Sequence, residues 1–483
     1  MHFARDEQAG LRRRAATEAA AKRARQASVS SGTPLLAPAS SDEEIGAPPL
    51  SPTARMINIV VGPRNFEGLK GILLHPFCIP LVCVPCGILS GSLGWGDNFT
   101  FWLNFLALIP LAKILGDATE EVAAALHNDT LSGLLNATFG NAVEMIVSVQ
   151  SLRAGLFDVV KASLLGSVLS NILLVLGSSF FLGGWTLSST KSGRFHKFTG
   201  KNYNRRFFGL EKEQKFPVKA ALISIGMLFF ACTVIVLPTL FNAMPTDDSV
   251  KVLKVSRIGS WITMSSYIMY LTFQLLTHKT TLAVEESMVD HEVSGLSGRL
   301  DQTDREEDGE DEESASLDCW VAMVLMALST LVVAVNSEYL VDSIQNVVHE
   351  SSIPSGFIGV ILLPIAGNAC EHASALRFSM RDRPGLAIGI AVGSSTQVAL
   401  LVVPFSVLVA EAFGQPLDLD FGILNAAVLT FSILVVLVLL MDGRSNWFKG
   451  YILVAMYVFI AALYLYVPPT FGDEPKSQML AIR

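Results

Sequence analysis

The sequence predicts an all-α polytopic membrane protein of about eleven transmembrane helices, built as an extra first helix followed by two inverted five-helix repeats. Three observations carry that expectation. Of the 483 residues 51% are apolar, and mean hydropathy is +0.48, too hydrophobic for a soluble domain. Apolar runs of about 20 residues, the length that crosses a bilayer as a helix, recur along the chain. The pentapeptide Gly140-Asn141-Ala142-Val143-Glu144 recurs as Gly367-Asn368-Ala369-Cys370-Glu371, displaced by 227 residues.

Taken in order, residues 1–70 are polar and lack apolar periodicity, so a disordered cytosolic tail is expected there. Apolar runs follow near 75–95, 100–122, 132–152, 160–182, 217–240, 258–277, 319–341, 355–377, 385–410, 421–441 and 450–467. They are too long for barrel strands, and lipid requires each segment to satisfy its own backbone, so helices are expected. The domain boundaries read as an extra first helix within 71–97, a first five-helix repeat over 98–280 and an acidic cytosolic loop or helix over 281–318. A second repeat over 319–470 and a short C-terminal tail over 471–483 complete the chain. From Asp301 to Glu313 nine residues are acidic and one, Arg305, is basic, a pattern of solvated chain.

Lysine and arginine placement orients the spans. The loop from Lys191 to Lys215 and the turn holding Arg377, Arg381 and Arg383 fall on the side of the basic N-terminus, which makes that side cytosolic. Lys251, Lys254 and Arg257 dissent by lying on the other side. With this orientation the third span runs outward and the eighth inward, so the two motif copies point in opposite directions. The displacement extends past the motif, since Gly166-Ser167 matches Gly393-Ser394 and Ser170 stands opposite Gln397. Inverted repeats meeting at the midplane are the architecture of many secondary transporters.

Several classes drop out. The basic residues accompany no nucleic-acid-binding fold, so nucleic acid is not a partner. No His-Glu-x-x-His pair and no glycine-rich phosphate loop is present, which argues against an enzyme. The six cysteines lie in or beside apolar runs, and Cys83-Val84-Pro85-Cys86 has no second pair at zinc spacing. The 301–313 run has no EF-hand spacing, so a calcium buffer explains nothing of the membrane repeats.

A carboxylate deep in a membrane segment costs roughly 2.5–3.5 kcal/mol on insertion scales, so Glu144 and Glu371 read as functional. Each has an amide three residues before it, Asn141 or Asn368, on the same helix face. Gly140 and Gly367 let a neighbouring helix approach, loosen the helix and free carbonyl oxygens. Such an all-oxygen set suits calcium, which takes six to eight hard ligands in tolerant geometry. Two ionised glutamates neutralise one divalent cation, and protons neutralise the same pair, so the minimal chemistry of an antiporter is present. Ser167, Ser170, Ser394 and Gln397 are read as ligand shell or helix packing. Glu120, Glu121 and Glu338, with Asp342 one turn on, are candidate entrance and exit carboxylates or interfacial groups. His372 is a candidate proton relay or a packed histidine.

With those residues in view the chain resembles the calcium/proton exchanger family, within the cation/calcium exchanger superfamily. The likeness covers residues 70–467. It rests on Leu134-Leu135-Asn136-Ala137-Thr138-Phe139-Gly140-Asn141-Ala142-Val143-Glu144, Ser163-Leu164-Leu165-Gly166-Ser167, Gly367-Asn368-Ala369-Cys370-Glu371-His372 and Gly393-Ser394-Ser395. Ala118-Thr119-Glu120-Glu121 and Ser445-Asn446-Trp447 also fit. Cys370 stands where the family commonly has alanine. The resemblance implies a vacuolar-type antiporter, without a cofactor, that moves calcium into an acidic lumen against protons, with Glu144 and Glu371 holding the cation. It also implies that the acidic stretch matches the family's acidic helix. Sodium coupling or a preference for manganese is the nearest rival.

Overall fold

The computed structural model describes residues 62–126, 128–186, 212–244, 249–278, 316–351 and 353–466. The expected tail over residues 1–61, the basic residues from Lys191 to Arg206, the acidic run 301–313 and the C-terminal tail 471–483 lie outside them.

The first described helix, α1 (Pro63–Leu73), starts on a proline, whose missing N–H is no loss at a helix start. It corrects the expected tail boundary at 70. Buried Asn65 anchors this helix by exchanging two hydrogen bonds with Asp318. Its Nδ2 donates to Oδ2 at 2.9 Å, and the Asp318 N–H donates to its Oδ1 at 2.8 Å. Next come α2 (Pro76–Leu93), α3 (Asp97–Ala125), α4 (Asp129–Phe139), α5 (Ala142–Arg153) and α6 (Phe157–Trp185). The first half closes with α7 (Val218–Asn242) and α8 (Ser249–Thr272). The second half holds α9 (Cys319–Ser351), α10 (Ser355–Gly367), α11 (Ala369–Met380), α12 (Pro384–Ala412), α13 (Ile423–Leu440) and α14 (Trp447–Tyr466).

Among the described residues eight of these helices are long and apolar enough to cross a membrane, and a ninth if α10 and α11, bent by 58°, form one span. The expected eleven is therefore not established. The run expected at 132–152 is broken at Gly140-Asn141 into α4 and α5, of 11 and 12 residues, each too short to span alone. The run expected at 258–277 lies in α8 and the π-helical turn after it, where serines, threonines and tyrosines thin the apolar content. Arg257 is paired, its guanidinium 3.2 Å from Glu411.

Hydrogen bonds set the directions. Asp97, at the start of α3, accepts from Asn346 late in α9 at 2.6 Å, while Glu121 near the end of α3 accepts from the Leu317 N–H just before α9, at 2.9 Å. So α3 and α9 are antiparallel. α5 runs toward the end bearing Asn346, since its Gln150 Nε2 donates to the Ala334 carbonyl at 3.3 Å and its cavity is shared with Asp342. α6 turns back from there at Gly155, and α11 finishes beside the end of α6, where Ser379 Oγ donates to the Ser179 carbonyl at 2.7 Å. The two motif helices thus finish at opposite ends of the molecule, as an inverted repeat requires.

A strap closes the α11 end. Two-residue strands β1 (Gln214–Lys215) and β2 (Arg444–Ser445) pair antiparallel, and Gln214 Nε2 donates to the Ser379 carbonyl and to Asp382, both at 2.8 Å. At the other end Lys161 bridges to Asp418 Oδ1 at 2.5 Å and to the Asp420 carbonyl at 2.7 Å. One apolar core joins α6, α7, α12, α13 and α14 through Leu169, Phe180, Ile225, Leu400, Ile433 and Leu453. A second joins α3, α5, α9 and α10 through Phe101, Leu108, Val143, Leu340 and Leu363. Outside, Trp261, Ile268, Trp320, Leu328, Phe431 and Phe459 are exposed, an apolar surface suited to lipid.

The repeat is structural as well as sequential. α6 contains a π-helical turn at Ser170–Val175, and α12 contains one at Val398–Val402, again displaced by about 227 residues. Such wide turns are rare and gather at functional sites. α6 also meets α10 closely: a Cβ on Gly166 would collide with the Val360 carbonyl, and one on Gly359 would come within 2.5 Å of Ala162 Cβ.

Candidate functional site: a centre of two carboxylates

Both motif copies lie where a helix breaks. α4 stops at Phe139 and α5 starts at Ala142; α10 stops at Gly367 and α11 starts at Ala369. Asn141 (φ −108°, ψ 20°) and Asn368 (φ −88°, ψ 8°) sit at the breaks, each just before its helix. The expectation that each asparagine shares a helix face with its glutamate is corrected accordingly. The glycine next to it frees the chain to bend, so the amide turns inward from a non-helical position. Glu144 and Glu371 fall in the first turns of α5 and α11, where the positive ends of the half-helices favour carboxylates.

The two copies are laced together by a crossed frame. Ser167 Oγ on α6 donates to Asn368 Oδ1 at 3.3 Å, and Ser394 Oγ on α12 donates to Asn141 Oδ1 at 3.5 Å. These bonds are mates under the same displacement of 227. Asn368 Nδ2 donates to the Ser167 carbonyl at 3.2 Å, and Asn141 Nδ2 donates to Gln397 Oε1 at 2.8 Å. All four frame residues that lie on the offset are buried: Asn141, Ser167, Asn368 and Ser394. Glu144 reaches across to the other copy, its Oε1 only 3.2 Å from where a Cβ would stand on Gly367. Any side chain at Gly367 would crowd that carboxylate. Gly140 is tight in its own way, since a Cβ there would come 2.6 Å from the Asn136 carbonyl.

Asn171, one residue beyond Ser170, completes the centre and was not among the expected residues. Its Nδ2 donates to Glu371 Oε2 at 2.8 Å and to Ser394 Oγ at 3.0 Å, while its Oδ1 is buried without a partner. A fully buried, unpartnered amide oxygen costs about 1–3 kcal/mol unless something fills it. A cation beside Glu371 would. The signal for it in the sequence is an asparagine inside the apolar run Leu169–Val175, but its counterpart under the repeat is Val398, so the repeat conceals it.

Glu144 lines a small cavity with Ser163, Ser167, Leu108, Pro364 and Gly367, with about 20 Å³ free. That admits one occupant the size of a water molecule or a bare ion. Glu144 and Glu371 lie within electrostatic reach of each other. No group of three or more His, Cys, Asp or Glu side chains gathers anywhere among the described residues. The centre therefore has two carboxylates, and amides, hydroxyls and carbonyls are its other oxygens, a hard donor set that suits calcium.

The remaining expected residues stand apart. Ser170 is buried and opens the π-helical turn of α6. The His372 ring nitrogen Nε2 lies 2.7 Å from Ser178 Oγ, a partner on α6. Glu121 accepts from Ser316 Oγ and the Leu317 N–H, which tethers the end of α3 to the start of the second half. Glu120 is exposed at the end of α3. Glu338 is exposed at the far end, where it lines a cavity of about 180 Å³ with Gln150, Arg153 and Asp342.

Comparison with known proteins gives the family. The family model for the sodium/calcium exchanger protein matches residues 98–276 and 321–466. Vacuolar cation/proton exchanger 3 of Oryza sativa subsp. japonica is 36% identical over 380 residues, 78% of this chain and 82% of that one. The vacuolar calcium ion transporter of Schizosaccharomyces pombe is 35% identical over 409 residues, covering 84% and 88%. The Ca(2+)/H(+) antiporter of Synechocystis is 35% identical over 395 residues, covering 81% and 97%. Among solved structures, native YfkE superposes with a TM-score of 0.61 at 30% identity, covering 80% of this chain and 100% of its own. The H+/Ca2+ exchanger CAX, 13% identical with a TM-score of 0.54, shares the fold. The chain belongs to the sodium/calcium exchanger protein family and, within it, to the cation/proton exchangers.

Proposed function

We propose that the protein is a secondary antiporter that exchanges cytosolic calcium for lumenal protons across the membrane of an acidic, vacuole-type organelle. The observation that carries this is the crossed frame, which presents Glu144 and Glu371 from two opposed half-helices to one site. A single calcium ion neutralises the pair, and so do protons. The unloaded pair, doubly charged in a low-dielectric interior, is expensive and does not reorient. Exchange then follows without a separate coupling device, and no catalytic residue is needed. In this reading Asn141, Asn368 and Asn171 supply amide oxygens. Ser167, Ser394 and Gln397 orient those amides, and Gly140 and Gly367 keep the approach open.

The likeness to named vacuolar exchangers supports the organelle, and the basic loops support a cytosolic N-terminus. Each pH unit contributes about 1.4 kcal/mol per proton, and a potential of about 100 mV adds about 2.3 kcal/mol per charge moved. Manganese is a second cargo compatible with an all-oxygen site. The test is calcium uptake into vesicles driven by an imposed pH gradient without sodium, with manganese as competitor. Uptake that needs sodium, or ignores the proton gradient, would overturn the reading.

A further inference from the structure

α3 carries ionisable groups that the two-carboxylate mechanism leaves unused. Lys113, Asp117 and Glu120 are spaced i, i+4 and i+7, which places them on one stripe of the helix. The Lys113 ammonium closes on both Asp117 carboxylate oxygens, and the two side chains are only 12% and 20% exposed. Their helix neighbours Leu111, Ala112, Ile114 and Leu115 are buried and apolar. An ion pair at that depth is costly to assemble and is weak evidence for stability alone.

The stripe lies on a helix packed against the one that carries Glu371. α3 packs against α10 and α11, and the Cys370 thiol is within electrostatic reach of Lys113, Asp117, Glu120 and Glu371. His75, just before α2, feels the same pair. Burial first, then Lys113 and Arg377, hold its imidazole below the usual range, and Asp117 opposes them. At the opposite end of the bundle Glu338 and Asp342 line an open cavity with Arg153. The α11 side carries a balanced pair, and the opposite side carries two exposed carboxylates.

We infer that Lys113 and Asp117 are a specificity-determining pair that sets calcium affinity at the α3/α11 mouth. Asp117 draws the incoming cation, and Lys113 limits how tightly the mouth holds it. The inference rests on the proposed exchange. It is tested by pH-driven calcium uptake in vesicles, varying calcium on the side of β1 and β2. Lys113→Met is expected to lower the apparent KM for calcium roughly three- to tenfold, and Asp117→Asn to raise it by a similar factor. The double variant Lys113→Met/Asp117→Asn, and the swap Lys113→Asp/Asp117→Lys, are expected to return near the wild-type KM. The swap keeps a pair and so guards against simple misfolding. Absent uptake by the wild type would overturn the proposed exchange itself. Wild-type uptake with KM unmoved by either single variant, or moved the same way by both, would overturn the pair's role.

Discussion

The two halves of the molecule agree in the frame that holds the centre and differ in the groups around that frame. Ser167 to Asn368 and Ser394 to Asn141 are the same bond made twice, and the π-helical turns of α6 and α12 sit at matching places. Against that, Asn171 faces Glu371 where its counterpart is Val398, and the ion pair of Lys113 with Asp117 has Leu340 and Ile344 at its counterpart positions. What is repeated is what must hold a cation from either side.

The largest effect breaks the symmetric part. Glu144→Gln and Glu371→Gln should each reduce pH-driven calcium uptake to background while the protein still inserts, measured in vesicles with a surface or fluorescence check of expression. Substantial uptake by one of them would mean that the halves are not equivalent. Next, Asn171→Val makes the first half copy the second. Losing the donor to Glu371 and a site oxygen should weaken calcium binding about tenfold, read as an apparent KM, since a hydrogen bond to a charged group contributes about 1.5–3 kcal/mol. An unchanged KM would make Asn171 a packing residue.

The two glycines separate what the halves share from what they do not. Gly367→Ala should crowd the Glu144 carboxylate and raise the calcium KM a few-fold at near-normal stability, because the neighbour must give by a few tenths of an ångström. Gly140→Ala meets the Asn136 carbonyl instead, so its main effect should be a lowered melting temperature. The smallest effect is at the tether. Glu121→Ala should lower the melting temperature by about 2–4 °C and leave exchange running, in line with a loss of about 1 kcal/mol. Loss of uptake in a folded variant would restore Glu121 to the ion path.

Much of the centre is legible in the sequence because the chemistry is written twice. A carboxylate, an amide and a glycine at the same spacing in two apolar runs point to one another, and the displacement of 227 then picks out Ser167 and Ser394. Asn171 escapes that logic, since a residue present in one half only has no echo. The helix breaks at Gly140-Asn141 and Gly367-Asn368 were half visible, as glycines that loosen a helix but not as places where the asparagine leaves it. The tether at Glu121 is hidden in the sequence because its partners, Ser316 and Leu317, lie about 195 residues away and meet it only in the fold. The count of eleven spans is not established among the described residues, because the break at Gly140-Asn141 divides one apolar run and hydroxyl side chains thin another.

The central claim is that Glu144 and Glu371 form one unit filled either by calcium or by protons. Its most direct test is proton release on calcium binding, followed with a pH indicator in weakly buffered, purified protein. Calcium added to the wild type should release protons, with affinity falling as pH falls, and the Glu144→Gln/Glu371→Gln double variant should release none. Tight calcium binding with no proton release at any pH, or release that survives in the double variant, would contradict the account.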